Sequence, residues 1–109
     1  MSQQNIPQIS ADEVKKAIDL KADFILLDVR TPEEFKQGKI SGSVNLPIDS
    51  IADKITQEIT DKNKTIYLYC LSGSRSDAAV SIMLQLGYKN VFSMTNGLLM
   101  WRFKKYPLQ

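Results

Sequence analysis

Histidine is missing from this 109-residue sequence. Imidazole is the base that most often activates a serine or cysteine nucleophile, and it is also a common zinc ligand. Its absence excludes Ser-His-Asp and Cys-His nucleophile pairs together with the usual zinc sites, so we expect no metal and no cofactor. Any nucleophilic chemistry in this chain has to proceed without an imidazole base.

Cysteine is almost as scarce, since Cys70 is the only one in the sequence. A lone cysteine cannot form an intramolecular disulfide, so we expect a free thiol in a reducing compartment, with the cytoplasm as the default. Residues 1–8 lack the basic start and apolar core of a signal peptide, and no apolar run reaches the length of a membrane span. We expect no association with membranes, and the sequence leaves open whether a presequence was removed.

An excess of charge of one sign is also lacking. The 14 basic and 12 acidic residues give a net charge of +2 and are mixed along the chain. No basic block is available to follow a phosphate backbone, so we expect no nucleic-acid binding. The scattered charges give no interface signal, and a monomer is the default expectation. The length fits one domain over residues 1–109, with residues 1–8 as a loose N-terminal lead.

The apolar residues that are present follow helical and strand patterns in alternation. Helices are predicted at residues 10–20, 31–38, 48–59, 75–87 and 98–103, and strands at residues 24–28, 44–46, 65–69 and 91–92. This alternation implies right-handed crossovers between parallel strands. The predicted fold class is therefore α/β, with a parallel-stranded central sheet flanked by helices on both faces.

Cys70 stands where the predicted strand 65–69 ends and a loop leads into the helix predicted at residues 75–87. In open parallel sheets, ligands bind beyond the carboxyl ends of strands, and a helix N-terminus directs free N–H groups at anions. The helix N-terminus and Arg75 both favour a thiolate. Gly73 allows the backbone to turn so that several N–H groups converge on an anion. The combination favours a nucleophilic Cys70 over a cysteine that only fills the core.

The loop after Cys70 is the candidate binding loop. It consists of Leu71, Ser72, Gly73, Ser74, Arg75 and Ser76. The three serines are candidate hydroxyl donors. The guanidinium of Arg75 is suited either to fork onto an oxyanion or to fold back and brace the loop, and the sequence leaves both open.

Four segments of the chain, in this order, resemble the motifs of the rhodanese family. They are DVRTPEEF at 28–35, GKISG with NLP at 38–47, CLSGSRS at 70–76 and NGLLMW at 96–101. The resemblance runs from about residue 9 to 108 and implies the rhodanese α/β fold. It also implies sulfur transfer, in which Cys70 takes a sulfane sulfur from a donor, carries it as a persulfide and yields it to a thiophilic acceptor. Backbone N–H groups of residues 71–75 would steady the persulfide.

The resemblance also implies the partners of such a reaction. The expected donor is thiosulfate, a persulfide or a polysulfide, and the expected acceptor is cyanide or a thiol. A protein sulfur carrier or a thioredoxin-like reductant is a further candidate. A preformed thiolate that displaces sulfite or a thiol needs no base, which fits the missing histidine.

Other motif residues have expected roles in the architecture. Asp28 and Arg30, at the end of strand 24–28, are candidates to line the site, although the family resemblance implies a mainly architectural role, and we expect Arg30 to form a brace with Glu34. Lys39 occupies a position where the family commonly has histidine. Asn96 replaces the first of two glycines, and because asparagine tolerates positive φ we expect the turn to survive.

Two other functions remain open. The first is a sulfur-relay or regulatory binding module, in which Cys70 exchanges with a partner protein and free substrates turn over negligibly. The second and more remote one is phosphatase or arsenate reductase chemistry. Those enzymes place five residues between the cysteine and the arginine, whereas only residues 71–74 intervene here. A shorter loop suits one sulfur atom better than a phosphoryl group.

Overall fold

The computed structural model of the protein describes residues 5–109 and contains, over that range, five strands and five helices. The strands are β1 (Gln8–Ile9), β2 (Ile25–Asp28), β3 (Val44–Asn45), β4 (Ile66–Tyr69) and β5 (Val91–Met94). The helices are α1 (Ala11–Asp19), α2 (Pro32–Gln37), α3 (Ile48–Glu58), α4 (Ser74–Gln85) and α5 (Gly97–Phe103). Within this range, no helix has the length and apolar content needed to cross a membrane.

Strand β4 lies at the centre of the sheet, whose order is β1-β5-β4-β2-β3, and every neighbouring pair is parallel. The register sets Asp28 at the end of β2 opposite Tyr69 at the end of β4. The carboxyl ends of parallel strands meet at one edge of the sheet, so the residues that follow β2 and β4 are neighbours in space. Cys70, directly after Tyr69, is therefore placed at this carboxyl edge.

Two apolar cores cover the two faces of the sheet, and the predicted α/β fold with helices on both faces is confirmed. Side chains alternate along β4, so that Leu68 packs with α3 and α4 while Tyr69 packs with α1 and α5. Burial on both faces explains why β2 and β4 are continuously apolar in the sequence. Cys70 belongs to the α3/α4 core, and Trp101 is fully buried in the other core.

Two helices begin with side-chain caps at the residues where the sequence analysis places their starts, Ser10 and Thr31. At the start of α1, Ser10 Oγ accepts the N–H of Glu13 at 3.0 Å. At the start of α2, Thr31 Oγ1 accepts the N–H of Glu34 at 3.2 Å, and the Glu34 carboxylate accepts the N–H of Thr31 at 3.2 Å. These bonds satisfy N–H groups that have no partner inside the helix. The predicted starts of both helices are confirmed.

The N-terminal segment differs from the loose lead predicted for residues 1–8. Residues 1–4 lie outside the described residues. Strand β1 pairs with β5, with Gln8 opposite Ser93, and the Ser93 N–H donates to the carbonyl of Pro7 at 2.9 Å. Two residues are too few to show a periodic pattern in the sequence. Strand β1 forms because it pairs with β5, which is distant in sequence.

Candidate active site

The sulfur of Cys70 lies in a cradle of backbone N–H groups between β4 and α4. The N–H of Gly73 donates to Sγ at 3.1 Å, and the N–H of Ser76 donates to it at 3.4 Å. Gly73 has φ of 112°, a left-handed conformation that allows the loop to turn back over the sulfur. Cys70 itself is fully buried. Gly73 is within the predicted donor range 71–75, and Ser76 lies one residue beyond it.

A pair of buried hydroxyl groups lies beside the sulfur. Ser76 Oγ is 3.7 Å from Cys70 Sγ and donates to the carbonyl of Gly73 at 3.1 Å. It is also 2.7 Å from Ser93 Oγ, which comes from the neighbouring strand β5, and both serines have no exposed surface. Among the three candidate serines of the loop, Ser76 is thus the one that contacts Cys70, while Ser72 and Ser74 are exposed.

Arg75 folds back onto α2, which decides between the two orientations left open by the sequence. Its two terminal nitrogens donate to the two carboxylate oxygens of Glu34, at 2.7 and 3.0 Å. This bidentate pair holds the pKa of the Glu34 carboxyl at about 2, below its ordinary 4.5. Hydrogen bonding to Glu34 outweighs partial burial and raises the pKa of Arg75. The pair ties the start of α4 to the start of α2.

The predicted Arg30–Glu34 brace is wrong, because Arg30 pairs with Asp28. The guanidinium donates to both oxygens of Asp28, at 2.6 Å for the closest contact, and also to the carbonyl of Gly38 at 2.6 Å. Both side chains are buried, with Arg30 only 3% exposed. Burial alone would lower the pKa of Arg30, but hydrogen bonding to Asp28 and its charge outweigh burial and raise it. The pair stabilises the connection between β2 and α2, and its burial keeps it from lining an open surface.

The N-terminus of α5 donates backbone hydrogen bonds to the cysteine loop. The N–H of Leu98 donates to the carbonyl of Cys70, and the N–H of Leu99 donates to the carbonyl of Leu71, both at 3.0 Å. Gly97 has φ of 50°, and a Cβ there would clash with the carbonyl oxygen of Cys70. Asn96 has φ of 61°, so the predicted tolerance of positive φ at this turn is confirmed.

A comparison with known families identifies the domain. The sequence model of the rhodanese-like domain matches residues 10–104. The chain belongs to the rhodanese-like domain family. Within the part of the chain that the structure describes, no group of three or more acidic or thiol side chains could hold a metal ion.

Two relatives of this rhodanese-like domain have names that refer to sulfur chemistry. A Schizosaccharomyces pombe protein named "Putative thiosulfate sulfurtransferase, mitochondrial" is 38% identical over 91 residues, covering 73% of this chain and 64% of that protein. A Bacillus subtilis protein named "Putative sulfur carrier protein YrkF" is 34% identical over 100 residues, covering 92% of this chain and 53% of that protein. The chain therefore spans less than two thirds of the length of either relative.

The fold of the rhodanese-like domain is also found among solved structures. A crystal structure of a rhodanese-related protein from Thermoplasma volcanium superposes with a TM-score of 0.81 at 32% identity, covering 94% of this chain and 97% of that chain.

Sequence reasoning missed two features of the site in this rhodanese-like domain. The first is Ser93, whose only signal is a serine inside the otherwise apolar strand β5. The second is the contact of α5 with the loop, because Asn96 and Gly97 were recognised only as a turn. Lys39, at the position of the family's usual histidine, has its Nζ 4.3 Å from the centre of the Phe35 ring rather than in the cysteine loop.

Proposed function

We propose that this rhodanese-like domain is a sulfurtransferase that moves a sulfane sulfur from a donor to a thiophilic acceptor through a persulfide on Cys70. The observation that carries the proposal is the convergence of the Gly73 and Ser76 N–H groups on Sγ, at 3.1 and 3.4 Å. Backbone N–H groups that point at one atom stabilise negative charge there, so this cradle is suited to hold the anion of a persulfide. Membership of the rhodanese-like family supports the same chemistry.

In the first step, the Cys70 thiolate attacks the outer sulfur of the donor. A sulfur–sulfur bond forms at Sγ, and the bond between the outer sulfur and the rest of the donor breaks. With thiosulfate, sulfite leaves with the bonding electron pair, so the total charge of −3 is the same before and after the step. No proton has to move, which is why the lack of histidine is no obstacle.

In the second step, the acceptor attacks the outer sulfur of the persulfide. Cyanide leaves as thiocyanate, or a thiolate leaves as a new persulfide, and the electron pair of the broken bond returns to Cys70. The N–H groups of Gly73 and Ser76 remain in position to stabilise the thiolate that is restored. No cofactor takes part in either step.

A sulfur-relay role is the second candidate. One relative is named as a sulfur carrier protein, although this chain spans only 53% of it. Cys70 has no exposed surface, so a free donor reaches the sulfur only when the loop opens. A partner protein that opens the loop on docking would then exchange sulfur faster than small donors do.

The direct test is to incubate the protein with thiosulfate or a polysulfide and to measure its intact mass. We expect an increase of about 32 Da located on Cys70, which disappears on addition of cyanide. The control is Cys70→Ser, which is nearly isosteric and should fold but gain no mass. If no donor produces the adduct, or if Cys70→Ser retains sulfur transfer, the proposal is wrong.

Steady-state kinetics separates the enzyme from the relay module. Rapid formation of thiocyanate from thiosulfate and cyanide supports an enzyme with free substrates. Loading of Cys70 with negligible turnover, together with rapid transfer of the loaded sulfur to a protein thiol, supports the relay module. Hydrolysis of an aryl phosphate that depends on Cys70 would instead support the remote phosphatase alternative.

A further inference from the structure

The charged side chains around the cysteine loop are almost completely paired with each other. Arg75 is the single basic residue of loop 71–76, and it pairs with Glu34. Arg30 pairs with Asp28. Asp77, in the first turn of α4, accepts a hydrogen bond from the neutral amide of Gln8. The loop therefore lacks a free positive charge with which to attract an anionic donor.

The Arg75–Glu34 pair places a carboxylate directly against the guanidinium of Arg75, so that the positive charge of Arg75 is balanced. An arginine grips an oxyanion most strongly through two parallel N–H groups, and Glu34 already occupies one N–H on each terminal nitrogen. Glu34 is also fixed from its own helix, since it accepts hydrogen bonds from the N–H and the hydroxyl of Thr31, both at 3.2 Å. A donor that competes for Arg75 would have to displace a carboxylate held on two sides.

We propose that Glu34 sets the donor preference of this site by masking Arg75, so that dianionic donors are disfavoured relative to donors with a single negative charge. This inference rests on the proposed sulfur transfer to Cys70. The Coulomb attraction between a donor and a free guanidinium is twice as large for a dianion as for a monoanion. The carboxylate of Glu34 offsets this attraction, so the advantage of the dianion is lost. The preferred donors are thus monoanionic persulfides and thiosulfonates rather than thiosulfate.

Two donors that differ in charge but react in the same way provide the test. Thiosulfate is a dianion and releases sulfite. Methanethiosulfonate has a methyl group in place of one charged oxygen, is a monoanion, and releases methanesulfinate. In both reactions the Cys70 thiolate forms a bond to the terminal sulfur, and the leaving group takes the electron pair. The ratio of kcat/KM for thiosulfate to kcat/KM for methanethiosulfonate therefore reports how the site discriminates by charge.

The test variant is Glu34→Gln, with Glu33→Gln as the matched control. Glutamine retains an amide oxygen for the Thr31 N–H, so the start of α2 is preserved while the charge is removed. Glu33 is the exposed neighbour in the same helical turn, and its replacement removes an equal charge without releasing Arg75. We expect Glu34→Gln to raise the ratio by about fivefold, and Glu33→Gln to change it by less than about twofold.

Failure of the inference about Glu34 can be distinguished from failure of the proposed sulfur transfer. If both donors load Cys70 but Glu34→Gln leaves the ratio unchanged, Glu34 does not set donor preference and the inference is overturned. If Glu34→Gln lowers both rates equally, Glu34 only holds the loop in shape, and the inference is again overturned. If the two glutamine variants raise the ratio equally, the effect comes from total charge and not from the pair with Arg75. If neither donor loads the wild-type protein, the proposed sulfur transfer itself fails.

Discussion

At the scale of single residues, Gly97 is close to the sulfur site although it carries no reactive group. Its neighbours Leu98 and Leu99 donate N–H groups to the carbonyls of Cys70 and Leu71. This close approach leaves no room for a side chain at Gly97, where a Cβ would also lie 2.6 Å from the Leu71 oxygen. The first residues of α5 thus fix the backbone that carries Cys70.

Replacing Gly97 by alanine should therefore destabilise the protein and slow sulfur loading. We expect a loss of about 3 kcal/mol in the free energy of unfolding, since steric overlap adds to the strain of positive φ. Gly42→Ala is the control, because Gly42 also has positive φ, at 85°, but a Cβ there meets nothing within 4 Å. Its cost should be about 1 kcal/mol, with unchanged loading. Equal effects in urea unfolding would show that the contact with the loop is unimportant.

Ser76 offers a second prediction at this scale. Removing its hydroxyl in Ser76→Ala deletes the contact 3.7 Å from Cys70 Sγ and leaves Ser93 without its partner. The variant also loses the bond from Ser76 Oγ to the Gly73 carbonyl, which holds the loop in shape around the sulfur. We expect the rate of sulfur loading to fall about fivefold, which corresponds to the loss of one such loop hydrogen bond of about 1 kcal/mol. Ser72→Ala, at an exposed position of the same loop, should load at the wild-type rate. The loading rate can be measured from the intact mass of samples quenched at successive times. A wild-type loading rate in Ser76→Ala would show that the hydroxyl pair plays no part.

At the scale of helices and strands, the two capped helices have different relations to the site. Helix α1 packs against the face of the sheet opposite the core that contains Cys70. Helix α2 carries Glu34, which reaches across to Arg75 at the start of α4. Stability and site geometry are therefore separable by changing one cap at a time.

Ser10→Ala should lower stability without affecting sulfur transfer. The variant loses the bond from the Glu13 N–H to Ser10 Oγ, 3.0 Å long, and we expect a cost of about 1 kcal/mol in urea unfolding. Thr31→Ala should cost a similar amount, but it also removes the hydroxyl that holds Glu34. Thr31→Ala should therefore alter the ratio of kcat/KM for thiosulfate to kcat/KM for methanethiosulfonate. A changed ratio in Ser10→Ala would contradict the conclusion that α1 affects stability but not the site.

The features that the sequence predicted are those with local causes. The starts of α1 and α2 and the apolar periods of the helices depend on residues a few positions apart, so their patterns are visible in one chain. The placement of Cys70 after a central strand follows from the same local patterns. The brace expected between Arg30 and Glu34 rests on the architectural role that the family resemblance implies for these motif residues, whereas the actual partner of Glu34 is Arg75, 41 positions away. Strand β1 and the Ser76–Ser93 contact depend likewise on tertiary pairing, which no local pattern reveals.

At the scale of the whole molecule, the Arg75–Glu34 pair links two helices whose sequences are far apart, and its contribution to stability depends on pH. The Glu34 pKa of about 2 in the folded protein is below its ordinary 4.5. The stabilisation is therefore complete above about pH 4.5 and is lost as the pH falls through about 2. Both side chains are about one third exposed, at 33% and 32%, so the contribution is about 1 kcal/mol or less.

Urea unfolding as a function of pH measures this linkage. Wild type should exceed Glu34→Gln in stability at neutral pH, and the difference should narrow as the pH is lowered from about 5 to about 2.5. Glu33→Gln should show no comparable narrowing. A difference between wild type and Glu34→Gln that stays constant over this range would mean that the carboxylate does not stabilise the folded state through its charge.

The bonds from Leu98 and Leu99 to the cysteine loop have a consequence for the order of events during folding. The loop follows β4, but its carbonyls find these partners only after β5 and the start of α5 have docked. Non-local contacts of this kind form late, because the intervening chain must first be ordered. The cradle around Cys70 is therefore complete only when nearly all of the chain has folded. In a refolding experiment, we expect the Cys70 thiol to become protected from alkylating reagents at the same rate at which α5 docks, so its protection would report completed folding.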